Sequence, residues 1–422
     1  MSPTYSAATG LVCTRCGAGH PWGPHLSGCD GCRAAGLAGA LAVQYAFDPG
    51  DGRRLAEGRD FWSYHRLLPV TREDATVTLG EGQTPLVPAD WVARELGLGY
   101  AAVKVEGANP TLSYKDRTNA VAVGAARQFG YDRICCTSSG NHGVSMAAYA
   151  AAAGLRSLVL FPPDAPPSVV AEVRHYGGEA VIVEPARGSG SALALLEALH
   201  REHGWFISNR NAPLVEGRRF GNPFGLEGYK TIAYEIWHQL GGRVPTWCCV
   251  PVGGGDGIAG IWRGFHELTE LGLVETPPRM VACQPEAGDS VVAAWRAGLA
   301  EVAPVRVQPT IALSLVDRLS GDHALRAVRE SGGRAVAVSD EAIRDAGEEL
   351  GRHGVALEPS SATALAGLRA LGKEGGLRPG ESAVVLGTGA GLRWPATYDR
   401  IAAADVPRVL PELAALRSAV RL

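Results

Sequence analysis

The chain has 422 residues, of which 46% are hydrophobic and 20% charged, and its formal net charge at pH 7 is −3. This balance is typical of a globular protein of two or three domains, and it gives no indication of binding to nucleic acid or to a membrane surface. No apolar run reaches the roughly 18 residues of a membrane helix. The first residues, MSPTYSAATG, lack the basic and apolar regions of a signal peptide, so we expect a cytoplasmic protein.

Four cysteines near the N-terminus have the spacing of a metal-binding knuckle pair. They read C-x-x-C, twelve residues, C-x-x-C, and are Cys13, Cys16, Cys29 and Cys32. Two such knuckles offer four thiolates to one tetrahedral ion, which predicts a zinc ribbon over residues 1–45. Four thiolates leave no open coordination position, so the zinc would be structural. The alternatives are cysteines that hold no metal, or disulfides, which a cytoplasmic protein disfavours.

From about residue 80 onward, short apolar runs alternate with helical stretches. This alternation favours an α/β fold with parallel sheets. The predicted strands are AAVKVEG, RICCTS, SLVLFPP, AVIVEP, TWCCVPV, RMVACQP, RAVAVSD and SAVVLGT, and the predicted helices between them include GVSMAAYAAAAG and SDEAIRDAGEELGRHG.

One lysine stands at the start of a small-residue run that resembles a buried helix. Lys115 lies between Tyr114 and Asp116 and precedes the uncharged stretch Thr118–Ala126. Poor solvation and the positive end of a helix dipole both disfavour an ammonium ion at this position. A free amine is a nucleophile for carbonyl groups, so Lys115 is a candidate for covalent catalysis.

Three loops rich in glycine or serine follow predicted strands, where parallel sheets bind their ligands. The first is TSSGNHG, residues 137–143, which opens a helix and carries Asn141. The second is GGGDG, residues 253–257, whose backbone could wrap a phosphate but which carries no nucleotide-binding signature. The third is GTGAGLR, residues 387–393, with the hydroxyl of Thr388. A nucleophilic lysine, an anion-binding turn and a phosphate loop together fit a phosphorylated aldehyde cofactor such as pyridoxal phosphate.

These motifs resemble those of the fold-type II pyridoxal-phosphate enzymes, and among them the threonine synthases and their relatives. The similar segments are EGQTPLV, SYKDR, SSGNHG, GNPFGLEGYKTIAYEI, GGGDG, EPSSATALAGL and TGAGLR. They occur in family order and cover roughly residues 80–400. Some threonine-synthase-like proteins also carry an N-terminal zinc-ribbon-like knuckle.

The resemblance implies a role for each matching residue. Lys115 would hold pyridoxal phosphate as a Schiff base and later exchange a proton with the substrate α-carbon, and Asn141 would bond the phenolic oxygen of the ring. Thr388 would face the pyridine nitrogen and leave it largely unprotonated, which favours elimination over transamination. The substrate carboxylate would be bound by Ser138, Ser139, Gly140 and His142, and the cofactor phosphate by Gly253, Gly254, Gly255, Asp256 and Gly257. Asp256 is expected to shape its turn rather than touch the anion.

The resemblance also implies the architecture. We expect a homodimer of two-domain subunits with three-layer parallel sheets, similar to the β subunit of tryptophan synthase, behind the N-terminal zinc-ribbon knuckle. The large cofactor domain would comprise residues 46–112 and 216–405, and the small α/β domain residues 113–215.

Several departures from the threonine-synthase pattern leave the substrate open. The asparagine loop has Ser-Ser-Gly-Asn-His, which is closer to the hydroxyamino-acid dehydratases. Gly225 stands where the threonine synthases often have an arginine. Ala390 and Arg393 replace a usual histidine and lysine. Other arginines could bind a substrate phosphate instead: Arg117, Arg210, Arg218 and Arg219. The expected activity is a lyase reaction on a β- or γ-substituted, possibly O-phosphorylated, amino acid. The alternatives are a serine/threonine dehydratase, a β-replacement enzyme of the cysteate-synthase type, and a non-catalytic cofactor-binding protein.

Overall fold

The computed structural model describes residues 5–37, 39–184, 192–209 and 221–394. Its strands are β1 Ala8–Cys13, β2 Gly19–His20, β3 Leu41–Tyr45, β4 Leu86–Pro88, β5 Tyr100–Val105, β6 Arg133–Thr137, β7 Arg156–Phe161, β8 Glu179–Ile182, β9 Phe206–Ile207, β10 Trp247–Pro251, β11 Arg279–Pro285, β12 Arg334–Val338 and β13 Ser382–Gly387.

The α-helices lie mostly between these strands. They are α1 Asp30–Ala34, α2 Asp51–Glu57, α3 Asp90–Leu96, α4 Lys115–Gln128, α5 Asn141–Ala152, α6 Pro167–His175, α7 Ala192–His203, α8 Lys230–Gln239, α9 Asp256–Glu270, α10 Ser290–Arg296, α11 Asp322–Glu330, α12 Asp340–Arg352 and α13 Pro359–Lys373. Short 3₁₀ helices cover Trp62–Leu67, Glu73–Ala75, Glu106–Ala108, Gly225–Tyr229, Glu286–Gly288, Leu313–Leu315 and Gly391–Arg393. None of the described helices is long and apolar enough to span a membrane.

The strands form three sheets. The largest has the order β12-β11-β10-β13-β5-β4, the second has the order β8-β7-β6-β9, and the N-terminal one has the order β2-β1-β3. The four-stranded sheet is parallel throughout. The six-stranded sheet is parallel except for the edge strand β4, which runs antiparallel to β5.

The predicted α/β pattern with parallel sheets is confirmed. Each of the eight apolar runs forms a strand, and the two quoted helical stretches form α5 and α12. The antiparallel edge strand was not predicted, because three residues between a turn and a helix carry too little periodicity to show their direction. The expected division into a large and a small domain stays a prediction, and part of its boundaries falls outside the described residues.

Helix α4 is the buried helix that the small-residue run predicts. Residues 116–126 of this helix are all buried. Alanine, valine and glycine suit such a helix because their small side chains let neighbouring elements approach closely on every side. Lys115 is the first residue of the helix, so its amine stands at the edge of the packed interior.

The N-terminal sheet is not an independent module. Leu11 and Val43 of this sheet, and Leu26 from the segment between β2 and α1, belong to one hydrophobic cluster with Val121 of α4 and Phe224. The cysteine ribbon therefore packs against the same region of the core that carries the lysine helix.

Candidate active site

Lys115 lies between two tyrosines rather than in open solvent. Its Nζ is 3.4 Å from the hydroxyl of Tyr114 and 3.3 Å from the hydroxyl of Tyr229. The two rings pack with centroids 4.7 Å apart. Burial, followed by the charges of Tyr114 and Asp256, raises the pKa of Tyr229 well above its usual value, so its hydroxyl keeps its proton. The Lys115 amine donates to this hydroxyl oxygen.

The loop 253–257 lies next to this amine through Tyr114. A Cβ atom added to Gly257 would lie 3.0 Å from the Tyr114 ring. Gly255 has φ = 105° and would place a Cβ 2.7 Å from Ala324, so only glycine fits that position. Helix α9 begins at Asp256, so its first N–H groups point out of the loop and could bind an anion.

The carboxylate of Asp256 contacts a histidine instead of an anion site. Its carboxylate lies 2.9 Å from Nε2 of His323, on α11. No sequence pattern pairs these two residues, because the contact joins the starts of two helices that are far apart in the chain. The pair ties the loop to α11, in keeping with the expectation that Asp256 shapes the turn.

Asn141 stands at the start of α5 and contacts a buried carboxylate. Its Nδ2 donates to both carboxylate oxygens of Glu358, at 3.3 and 3.1 Å. Burial raises the pKa of Glu358, although the amide of Asn141 opposes the shift. The side-chain oxygen of Asn141 is buried and has no partner among the described residues. An unsatisfied buried oxygen is costly, so this atom is free for a bound molecule.

The loop before α5 presents some of its backbone N–H groups and uses others internally. The N–H of Ser138 donates to Leu160, and the N–H of Gly140 donates to the hydroxyl of Ser138. Within the described residues, the N–H groups of Ser139, Asn141 and His142 have no recorded acceptor. These three amides are the ones that remain for a carboxylate.

The imidazole of His142 is neutral, and both of its ring nitrogens contact polar side chains. Its Nε2 lies 3.0 Å from the hydroxyl of Ser208, and its Nδ1 lies 3.5 Å from the amide nitrogen of Asn119. Burial, followed by the charge of Lys115, lowers the pKa of His142 to about 3. The imidazole therefore carries no charge at neutral pH, and its contacts are those of a residue that shapes the loop.

Thr388 has its hydroxyl fixed by a neighbouring serine. Its Oγ1 lies 2.8 Å from Oγ of Ser361, which also accepts the N–H of Gly389 at 2.8 Å. The N-cap of α13 is Glu358, and Ser361 bonds Thr388 because the helix start and the end of β13 meet at this point.

Arg117 cannot bind a substrate phosphate. Its guanidinium is fully buried and pairs with Glu106 and Glu235, both at 2.6 Å. Lys104 completes this cluster at 2.6 Å from Glu235. Although burial opposes it, the charges of Arg117 and Lys104 lower the pKa of Glu235 to about 2. The suggestion that Arg117 replaces the missing arginine is therefore wrong, while Arg210, Arg218 and Arg219 lie outside the described residues.

Gly225 shows why its position holds no arginine. A Cβ atom there would lie 2.7 Å from Oγ1 and 3.3 Å from the carbonyl oxygen of Thr118. The 3₁₀ turn Gly225–Tyr229 packs directly on α4, so no side chain fits between them. A Cβ on Gly228 would come even closer, 2.0 Å from the carbonyl oxygen of Arg117.

The four N-terminal cysteines come together as predicted. Their sulfurs all lie within 4.8 Å of one another. Cys13 and Cys32 are 3.7 Å apart, as are Cys16 and Cys29. Zinc–sulfur bonds of about 2.3 Å place tetrahedral sulfurs about 3.8 Å apart, so the cluster fits a zinc ion.

The residues near Lys115 also fit pyridoxal phosphate. The amine, the glycine loop, the unpartnered oxygen of Asn141 and the hydroxyl of Thr388 match the needs of an aldehyde, a phosphate and a pyridine ring. Tyr229 was missed in the sequence. It lies within the segment GNPFGLEGYKTIAYEI, which the resemblance singled out, but nothing in that segment placed its hydroxyl at Lys115.

Comparisons with known proteins identify the family. The family described as "Pyridoxal-phosphate dependent enzyme" matches residues 77–389. A threonine synthase of Methanocaldococcus jannaschii is 37% identical over 338 residues, covering 79% of this chain and 80% of that protein. A threonine synthase of Methanosarcina acetivorans is 35% identical over 395 residues, covering 92% and 93%.

Solved structures support the fold. Maize serine racemase superposes with a TM-score of 0.64 at 22% identity, covering 85% of this chain and 99% of that one. Threonine deaminase isoform 2 of Solanum lycopersicum gives a TM-score of 0.64 at 21% identity, covering 84% and 94%. The predicted fold-type II architecture is confirmed.

Proposed function

The chain belongs to the family of pyridoxal-phosphate dependent enzymes, and from that premise we propose that it is a threonine synthase-like lyase. It would expel a β- or γ-substituent from an amino acid, after which water or another nucleophile can add. The observation that carries this proposal is the position of the Lys115 amine, held between Tyr114 and Tyr229 beside the loop 253–257.

Lys115 and Tyr229 have separate roles in the proposed reaction. Lys115 binds the cofactor through its amine and later moves a proton at the substrate α-carbon. The neutral hydroxyl of Tyr229 holds that amine when it is free. When bound, pyridoxal phosphate supplies the electron sink that stabilises negative charge at the α-carbon.

The remaining contacts would orient substrate and cofactor. The free amides of Ser139, Asn141 and His142 bind the substrate carboxylate, and residues 253–257 hold the cofactor phosphate. The hydroxyl of Thr388 would serve as a neutral partner for the pyridine nitrogen. A neutral partner leaves that nitrogen largely unprotonated, and this favours elimination over transamination.

The lysine is tested by substitution. Protein loaded with pyridoxal phosphate should be yellow, and Lys115→Ala should lose the visible absorbance band. The matched control is Lys373→Ala, which removes an exposed lysine from the last turn of α13 and should keep the band. Wild-type protein that stays colourless, or a Lys115→Ala variant that stays yellow, contradicts the proposal.

A second candidate, a serine/threonine dehydratase, is favoured by two observations. Gly225 has no room for an arginine, and Arg117 is locked in its buried cluster. Both weaken the case for a phosphorylated substrate, because phosphate recognition relies on such cations. Phosphohomoserine, phosphoserine, serine and threonine, offered separately, distinguish the candidates by which one is consumed. A β-replacement enzyme would consume its substrate only with an added nucleophile, and a non-catalytic protein would consume none.

We also propose a structural zinc ion at the four cysteines, a homodimer and a cytoplasmic location. The thiolate spacing supports the zinc, and the family resemblance is the ground for the dimer. Metal analysis should give one zinc per chain, and sedimentation should give twice the chain mass. The domain limits 46–112 with 216–405, and 113–215, are likewise proposed, and limited proteolysis can test them.

A further inference from the structure

We propose that the N-terminal cysteine ribbon sets the position of the Lys115 amine through the turn Gly225–Tyr229. In this inference Glu227 and Tyr229 are positioning residues, and the ribbon is the support that holds them. The inference rests on the proposed role of Lys115 as the cofactor lysine.

The ribbon contacts the chain immediately before this turn. The ring of Trp22 packs edge-on against Phe224 with centroids 5.6 Å apart. The carbonyl of Leu26 accepts the N–H of Gly221 at 2.8 Å. These contacts fix the chain immediately before the turn, and both come from the segment between the two cysteine pairs.

Strand β3 of the ribbon also contacts Glu227, in the middle of the turn. The hydroxyl of Tyr45 donates to Glu227 at 2.9 Å, and the carbonyl of Val43 accepts a bond from Arg263. Arg263 in turn donates to Glu227 at 2.8 Å. Lys230 lies 2.9 Å from Glu227, so this buried carboxylate has three donors.

The turn contacts both the Lys115 amine and the helix α4 that begins at Lys115. Tyr229 follows Glu227 by two residues and bonds the Lys115 amine at 3.3 Å. The backbone of the turn rests on α4, where a Cβ on Gly228 would lie 2.0 Å from the carbonyl of Arg117. Because the turn packs this closely on α4, we expect a shift of Glu227 to move the Tyr229 hydroxyl relative to the Lys115 amine.

The cysteines belong to the same unit. Cys13 ends β1 and is paired with Leu41 of β3, the strand that reaches Tyr45. Cys29 donates its N–H to the carbonyl of Gly39, two residues before β3 begins. An ion that fixes the four sulfurs would therefore fix β3, which is how the ribbon would act at a distance on the amine.

The test uses the loaded protein and the pH titration of its visible absorbance, which reports the environment of the Lys115 nitrogen. Tyr45→Phe removes one hydroxyl at the junction between ribbon and turn. We expect a shifted titration midpoint and cofactor binding weaker by about tenfold, the scale of one hydrogen bond to a charged group. Thr76→Val is the matched control, because the Thr76 hydroxyl donates to the carbonyl of Glu73 at 2.7 Å, outside the ribbon and the turn; it should change neither quantity.

Two further variants decide the route. Cys16→Ser, which weakens the cysteine cluster, should shift the titration in the same direction as Tyr45→Phe. In a Tyr229→Phe background neither change should shift it further, because the hydroxyl they displace is gone. A Tyr45→Phe or Cys16→Ser protein that folds and titrates as wild type overturns the inference, and so does an undiminished shift in the Tyr229→Phe background.

A parallel measurement separates this inference from the proposed function. In cofactor-free protein, the rate at which an acylating reagent modifies Lys115 depends on the amine and its neighbours only. We expect Tyr45→Phe to change that rate and Thr76→Val to leave it unchanged. If wild-type protein shows no visible band, the proposed function fails; if the band forms and Tyr45→Phe changes neither band nor acylation rate, only the present inference fails.

Discussion

Substituting Gly225 with alanine tests the explanation for the missing arginine. The new Cβ would lie 2.7 Å from Oγ1 of Thr118, 3.3 Å from its carbonyl oxygen and 3.5 Å from the Cβ of Ala122. Only the first of these distances is far inside van der Waals contact. The clash should therefore come mainly from one removable hydroxyl, although the backbone of α4 would remain close.

The magnitude follows from the usual cost of overpacking a core. An added methyl group in a packed interior costs about 1–3 kcal/mol. The smaller entropy of alanine in the unfolded chain returns about 0.4–1 kcal/mol. We expect Gly225→Ala to lower the free energy of unfolding by roughly 1–2 kcal/mol, measured by urea denaturation.

A second substitution makes the reasoning specific. Thr118→Ala removes the clashing hydroxyl, so the double variant should be less destabilised than the two single changes added together, by about 1 kcal/mol. Gly351→Ala in α12 is the control, because its Cβ would meet nothing within 4 Å and should not destabilise. A Gly225→Ala protein as stable as wild type, or additive effects in the double variant, would refute the argument that sterics exclude a side chain here.

Three other predictions concern charge and metal. Burial raises the pKa of Asp116 from 3.8 in the unfolded chain to about 6 in the native protein. Between pH 3.8 and pH 6 the native carboxyl therefore keeps its proton while the unfolded one loses it. The free energy of unfolding should fall by about 3 kcal/mol as the pH rises through this window. Asp116→Asn should flatten that part of the stability profile, and an unchanged profile would contradict the assignment. Arg117→Met leaves Glu106 and Glu235 partly unpaired in the interior and should cost about 3–5 kcal/mol in urea denaturation, whereas Arg72→Met at an exposed pair should change little. Removing metal with a chelator should lower the melting temperature, and added zinc should restore it. A melting temperature that is the same with and without the chelator would argue against a bound ion.

The sequence by itself determined the class of fold and the family. The eight apolar runs, the buried lysine helix and the glycine loops are local patterns, and each follows from periodicity or backbone geometry within a few residues. The spacing of the cysteines likewise predicted the convergence of four sulfurs. The order of these motifs along the chain then identified the family.

Only the tertiary structure decided which side chains meet. Arg117 was a plausible phosphate ligand in the sequence, but it is buried against Glu106 and Glu235, which come from elements far apart in the chain. The hydroxyl of Tyr229 reaches Lys115 across 114 positions of sequence. The ribbon, which appeared to be a separate module, proves to pack on the turn that carries this tyrosine. Local propensity cannot encode such contacts, because they depend on how closely whole elements approach once the core is packed.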